Sequence, residues 1–145
     1  VTRLRALLHL PAEGLLLDLG GGTGRVSRLL APDVRGVVVA DLAPGMLRQA
    51  AAGGSVTGVL ATAQALPFDD GAFSRLLAVD SFHHLGDQAA ALREMVRVLA
   101  PGGWLVIEEP DIRRWRVKAI AVVLAVIGVI MQIFGNKSMA TWLGK

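Results

Sequence analysis

Leu15–Gly24 reads LLLDLGGGTG, and the fold of the chain is decided there. The stretch Gly14–Leu19 (GLLLDL) is apolar but for one acid, which suits a strand buried on both faces of a parallel sheet. Gly20–Gly24 places four glycines in five residues directly after it. Glycine at such a junction lets the backbone turn tightly and lets a ligand approach main-chain N–H groups. A helix over Arg25–Leu30 follows, and its first turn offers unsatisfied donors. Ala31-Pro32-Asp33 stops that helix.

The glycine spacing discriminates between ligands. A dinucleotide fingerprint, G-x-G-x-x-G, fails because Arg25 lies five positions after Gly20 and Ser27 five after Gly22. A phosphate loop fails because no Gly-Lys-Ser/Thr follows. What remains is G-x-G-x-G with Asp18 two positions before it. An acid in this turn would repel a pyrophosphate and suits a ligand carrying a positive group. Asp41 ends the next apolar run, Gly36–Ala40 (GVVVA), and an acid there can accept hydrogen bonds from two ribose hydroxyls. Taken alone, Asp41 reads as an N-cap for the helix that follows; beside the glycine turn, the ribose reading is preferred.

Working outward, strand and helix alternate. A helix is expected over Pro44–Ala52, broken by Gly53-Gly54. Short strands are expected over Val56–Ala61 and Phe73–Val79, separated by the loop Leu66–Gly71. Gln88–Leu99 carries Leu92, Met95, Val96 and Leu99 at helical spacing. Pro101-Gly102-Gly103 turns the chain into a fifth strand, Trp104–Glu108. The N-terminal run Val1–Leu10 suits a short amphipathic helix and lacks an apolar stretch long enough for a secretory signal. The pattern predicts an α/β, Rossmann-like, doubly wound and mostly parallel sheet with helices on both faces.

The 145 residues allow one sizeable core, and with 53% apolar and 19% charged residues the chain is not of disordered type. It has no cysteine, which excludes disulfide scaffolds, thiolate metal sites and a cysteine nucleophile. The net charge of +3 hides an asymmetry. Residues 1–111 carry nine Arg, no Lys and twelve acids, a balance of −3, whereas residues 112–145 carry three Arg, three Lys and no acid, a balance of +6. The body therefore lacks the basic excess of a nucleic-acid groove, and no nucleic-acid partner is expected.

Five motifs in order, LLLDLGGGTG (15–24), VVVADLAPGML (37–47), TAQALPF (62–68), AVDSFHHL (78–85) and LREMVRVLAPGGWLVIEEPD (92–111), resemble the class I S-adenosylmethionine-dependent methyltransferases. The likeness is to their ubiquinone/menaquinone-biosynthesis-like (type 11) branch, and it runs roughly from Val1 to Lys118. It implies S-adenosylmethionine as cofactor and a seven-stranded sheet whose last strand is antiparallel. By the resemblance, Asp18 and the turn Gly20, Gly21, Gly22, Thr23 and Gly24 meet the methionine end, with Asp18 toward the amino group. Asp41 binds the ribose and Leu42 adjoins it. Thr62 and Ala63 frame the adenine, and main-chain atoms of Val79 lie near the sulfonium. The chain departs from the family in carrying Thr62 and Gln64 where Asp and Glu are frequent. It also leaves too little length after Pro110 for two further strands, so the sheet is expected to lack them.

His83 and His84 follow the fourth strand, at the edge where such sheets bind ligands, and are the substrate-facing candidates. As plain structure they are a hydrogen-bonded loop pair; as chemistry, His84 is the base for a phenolic acceptor. No catalytic residue is assigned beyond this, and Asp69-Asp70-Gly71 reads as a turn, with no metal expected. The basic cluster Arg113, Arg114, Arg116 and Lys118 precedes the apolar segment Ala119–Phe134. As a helix that segment would rise ~24 Å, short of the ~30 Å of a bilayer core. The expected division is a cofactor-binding core, 1–112, and a basic, apolar helical segment, 113–145, packed on the sheet, with peripheral membrane contact through 113–134 as a second reading. The function expected is methyl transfer to a small molecule, a quinone precursor or other lipid-like acceptor, in the cytoplasm or at a membrane; homo-oligomerisation is a further expectation. The rival readings are a non-catalytic cofactor-binding module and a membrane-tethered protein.

Overall fold

The computed structural model describes residues 1–109 and 118–122. In chain order the elements are α1 (Thr2–Leu7), β1 (Ala12–Leu19), α2 (Arg25–Leu30), β2 (Val34–Asp41), α3 (Pro44–Ala51), β3 (Thr57–Leu60), β4 (Phe73–Val79), α4 (Gln88–Val98), β5 (Leu99–Glu109) and β6 (Lys118–Val122). Short 3-10 turns lie at Ala31–Asp33 and Phe82–His84. The strands form one sheet in the order β3-β2-β1-β4-β5-β6. β1 to β5 are mutually parallel, as the alternating strand–helix pattern requires.

The apolar runs are continuous because the sheet is covered on both sides. Side chains alternate across a strand, so neighbours in sequence serve opposite cores. Leu17, Leu76 and Leu105 enter one core with Ala91, Met95 and Val98 of α4. Leu16, Leu77 and Val106 enter the other, with Leu4 of α1, Leu30 of α2 and Leu47 of α3. Each fully buried side chain of this size contributes about 1.5–3 kcal/mol. Arg97 of α4 pins the loop before β4: it bonds the carbonyls of Leu66 and Phe68 and the carboxylates of Glu94 and Asp70 at 2.7–2.9 Å.

Two expectations are corrected. The fifth strand begins at Leu99, not Trp104: Leu99 pairs with Phe73, the register then shifts, and Trp104 pairs with Arg75. Pro101-Gly102-Gly103 is thus an irregularity within β5, with Gly102 at φ +75°. The sheet also does not stop at five strands, because Lys118–Val122 pairs antiparallel with β5 from Glu109↔Lys118 to Leu105↔Val122. The first four residues of the expected Ala119–Phe134 helix are therefore strand. The physical cause is the outer edge of β5, whose free N–H and C=O groups take up a partner, and Ile120 and Val122 are β-branched residues suited to one. The rest of that segment and the expected boundary at 112/113 lie outside the described residues.

Candidate cofactor site

In this strand order the chain reverses direction between β1 and β4, and ligands of open α/β sheets bind at the C-terminal ends of the strands flanking such a point. β1 ends at Asp18 and Leu19, β2 at Asp41, and β4 at Val79. Two depressions lie over these ends. One, of about 280 Å³, is lined by Asp18, Gly20, Gly21, Gly22, Thr23, Val79 and Asp80, with Met46 at its rim. The other, of about 290 Å³, is lined by Ala40, Asp41, Leu42, Ala61, Ala63, Ser81 and His84, and again by Gly20 and Asp80. Gly20 and Asp80 are shared, so the two form one elongated cleft with Asp18 in one half and Asp41 in the other.

The glycine turn is shaped for close approach. Gly22 has φ +55°, and nothing lies within 4 Å of where its Cβ would be. Side chains rarely adopt that conformation, and any that did would project into unfilled space. At Gly21 the constraint is internal: a Cβ would fall 2.5 Å from the Asp18 carboxylate. Gly24 is the N-cap of α2, and its N–H bonds the Gly21 carbonyl at 2.9 Å.

Asp18 is 2% exposed and accepts a hydrogen bond from the Ser27 hydroxyl of α2, which is itself fully buried. Burial pushes the Asp18 carboxyl up to about 6; the Ser27 bond pulls it down and the Asp41 charge raises it further. A carboxylate held in this way is unstable as an anion and is relieved by a cation. Asp41 sits differently. Its Oδ2 accepts the Gly22 N–H at 2.9 Å and its Oδ1 the Ala43 N–H at 2.8 Å. It is not the N-cap of α3, which is Ala43 and has no side-chain cap. Asp41 instead makes a local turn and ties the glycine loop to β2, with the second lone pair of each oxygen still free to accept.

Of the adenine-side candidates, Ala63 lines the cleft and is buried, and Leu42 lines it while 68% exposed. The Thr62 hydroxyl is turned to Gln64 Oε1. His84 lines the cleft; its neighbour His83 is bound through Nδ1 to Glu109, with the two imidazole centroids 3.9 Å apart. Sequence reasoning passed over Asp80, Ser81 and Ala61. Asp80 stands at φ +51°, a conformation uncommon outside glycine, and touches both halves of the cleft. An acid one residue past a parallel strand, beside the reversal point, was the signal available for it.

The donor set fits a ligand with a cationic amino-acid end and a ribose. Asp18 would offer a buried carboxylate to the first and Asp41 an anionic acceptor to the second, and Gly22 leaves open space beside Asp18.

A family model described as a methyltransferase domain matches residues 17–107. The demethylmenaquinone methyltransferase of Thermus thermophilus is 46% identical over 101 residues, 65% of this chain and 46% of that protein. That of Mycolicibacterium gilvum is 41% identical over 107 residues, 72% of this chain and 46% of that protein. The ubiquinone/menaquinone biosynthesis C-methyltransferase of Pasteurella multocida is 39% identical over 105 residues, 65% of this chain and 39% of that protein. The chain thus spans about half or less of the length of these curated relatives. Among solved structures, an S-adenosylmethionine-dependent methyltransferase from Mesorhizobium loti superposes with a TM-score of 0.69 at 27% identity, over 75% of this chain and 52% of that one. The YcgJ protein of Bacillus subtilis gives 0.71 at 26% identity, over 74% and 49%. With its motifs, its sheet order and a family match over most of the described residues, the chain belongs to the class I S-adenosylmethionine-dependent methyltransferases, in the ubiquinone/menaquinone-like branch.

Proposed function

We propose that this domain holds S-adenosylmethionine in the elongated cleft and directs its methyl group to a small aromatic acceptor of the quinone-precursor type. The observation that carries the reading is the single cleft over β1, β2 and β4, with a strained buried carboxylate in one half and an anionic hydrogen-bond acceptor in the other. The names of the curated relatives support the acceptor class.

When bound, the cofactor supplies a methyl group on a sulfonium, open to in-line displacement. Asp18 pairs with the ammonium, and Ser27 keeps its carboxylate aimed from α2. Asp41 accepts from the ribose hydroxyls while keeping the glycine loop tied to β2. Leu42 and Ala63 enclose the base, with Thr62 at its border, and the main chain at Val79 borders the reacting end. Positioning of this kind supplies much of the acceleration of a displacement, with effective molarities reaching ~10⁵ M or more. For a phenolic acceptor, His84 would take the hydroxyl proton, leaving an electron-rich ring whose carbon bonds the methyl as its bond to sulfur breaks to leave a neutral thioether, and that carbon then gives up its own proton to restore the ring.

On sequence grounds the basic cluster Arg113, Arg114, Arg116 and Lys118 would make peripheral contact with anionic membrane, as suits a lipid-like acceptor. The test of the main reading is transfer of labelled methyl from S-adenosylmethionine to a short-chain demethylmenaquinone in its reduced form. Label in the quinol that needs the protein supports it. Cofactor binding without transfer to any quinol or phenol tried would overturn the acceptor class.

A further inference from the structure

The turn that carries His84 into the cleft is held from outside it. Phe82–His84 is one turn of 3-10 helix after the positive-φ residue Asp80, and both histidines are exposed. Phe82 and the following Leu85 pack against the core, but the first N–H groups of such a turn have no partners within it. Glu109, the last residue of β5, supplies one. Its Oε1 accepts the Phe82 N–H at 2.7 Å, and its Oε2 bonds the His83 Nδ1. The Glu109 side chain is only 16% exposed, and among the described residues its two oxygens bond this turn. Two further bonds hold the turn from other sides: Ser81 Oγ to the Leu19 carbonyl at 2.8 Å, and Gln88 Nε2 to the Phe82 carbonyl at 3.2 Å. The His83 ring held by Glu109 lies against the His84 ring, centroids 3.9 Å apart and planes tilted by 43°.

We propose that Glu109 is a positioning residue: by gripping Phe82 and His83 with its two oxygens, it sets where His84 stands in the cleft. This rests on the methyl-transfer reading above for its consequence, but the placement itself is independent of the acceptor. β4 and β5 are joined without Glu109, through the ladder Arg75↔Trp104 to Val79↔Glu108 and the Asp80 N–H to the Glu108 carbonyl at 2.9 Å. Removing the carboxylate therefore takes away the ties at Phe82 N–H and His83 and leaves the β4–β5 ladder intact.

The experiment compares the parent with Glu109→Ala and Glu109→Gln as full chains. The Gln variant keeps an acceptor for Phe82 and loses the charge facing His83, which covers the case in which Ala folds poorly. Steady-state transfer to the reduced short-chain demethylmenaquinone should fall at least tenfold in kcat for Ala and less for Gln. The KM for S-adenosylmethionine and the calorimetric Kd for S-adenosylhomocysteine should stay within about twofold. An unchanged kcat, or a loss of cofactor affinity in parallel with kcat, overturns the proposal. If the parent binds S-adenosylhomocysteine but transfers nothing, the acceptor reading fails, and the ring ¹H–¹⁵N signals of the histidines decide the positioning claim. Displaced or broadened His84 signals in both variants support it; signals and ligand response identical to the parent refute it.

Discussion

Asp18→Asn separates folding from binding, because the same burial that weakens the first serves the second. The Asp18 carboxyl is raised from an ordinary 3.8 to about 6. A folded-state value above the unfolded one means that the native protein holds the proton more tightly between these limits, so stability falls as pH rises through this window. The shift of about two units corresponds to roughly 3 kcal/mol of stability, lost between about pH 4 and pH 7. Asparagine cannot ionise, and its carbonyl oxygen can still accept the Ser27 hydroxyl. The stability of the variant relative to the parent should therefore climb by about 3 kcal/mol from pH 4 to pH 7. Urea unfolding of both proteins across that range, without ligand, measures it, and taking the difference cancels the titrating groups that do not interact with Asp18. Binding should move the opposite way. Loss of the anion facing the ammonium should weaken S-adenosylhomocysteine at least tenfold at pH 8, since a charged hydrogen bond is worth about 1.5–3 kcal/mol. A stability difference that stays flat with pH would refute the claim that Asp18 is a buried, unrelieved carboxyl. Undiminished affinity would refute its role toward the ammonium.

Asp41→Ala should lower S-adenosylhomocysteine affinity at least tenfold by calorimetry while the protein stays folded, because both the ribose acceptor and the tie to Gly22 are removed. Gly22→Val should melt below the parent, because φ +55° strains a β-branched residue, yet the folded variant should lose cofactor binding altogether; normal binding by the folded variant would remove the glycine turn from the site. Arg97 holds the Glu94 carboxyl down to about 2, so this contribution to stability is present above about pH 4.5 and is lost as pH falls toward 2. Arg97→Ala should accordingly destabilise the protein at pH 6 and make it less sensitive to acid, as read from urea midpoints at pH 3 and pH 6. Vesicle sedimentation should show salt-sensitive binding to anionic lipid through residues 113–118, at about 1 kcal/mol per basic residue, and binding to neutral vesicles in high salt would point to insertion instead.

The parallel sheet was legible because its strands are buried on both faces and so write themselves as continuous apolar runs, GLLLDL and GVVVA above all. The acid–glycine turn and Asp41 were legible because their spacing is local and ligand chemistry constrains it tightly. What escaped depends on distant neighbours. Pro101-Gly102-Gly103 reads as a turn, and only the pairing of Leu99 with Phe73 makes it an interruption within a strand. Ala119–Val122 is apolar without a period that separates strand from helix, and the open edge of β5 decided between them. Thr62 lies where adenine was expected, but its hydroxyl is taken by Gln64 two residues on. Asp80 is tied through its N–H to Glu108 of β5, and Glu109 to the 82–84 turn, contacts that no spacing along the chain announces.

The central claim is that the cleft running from Asp18 to Asp41 is built for an S-adenosyl amino acid. Calorimetric titration of the full chain with S-adenosylhomocysteine, with NAD as the control, tests it most directly. One-site binding of S-adenosylhomocysteine and no heat from NAD is the predicted result; binding of NAD, or no binding of S-adenosylhomocysteine by the folded chain, would contradict it.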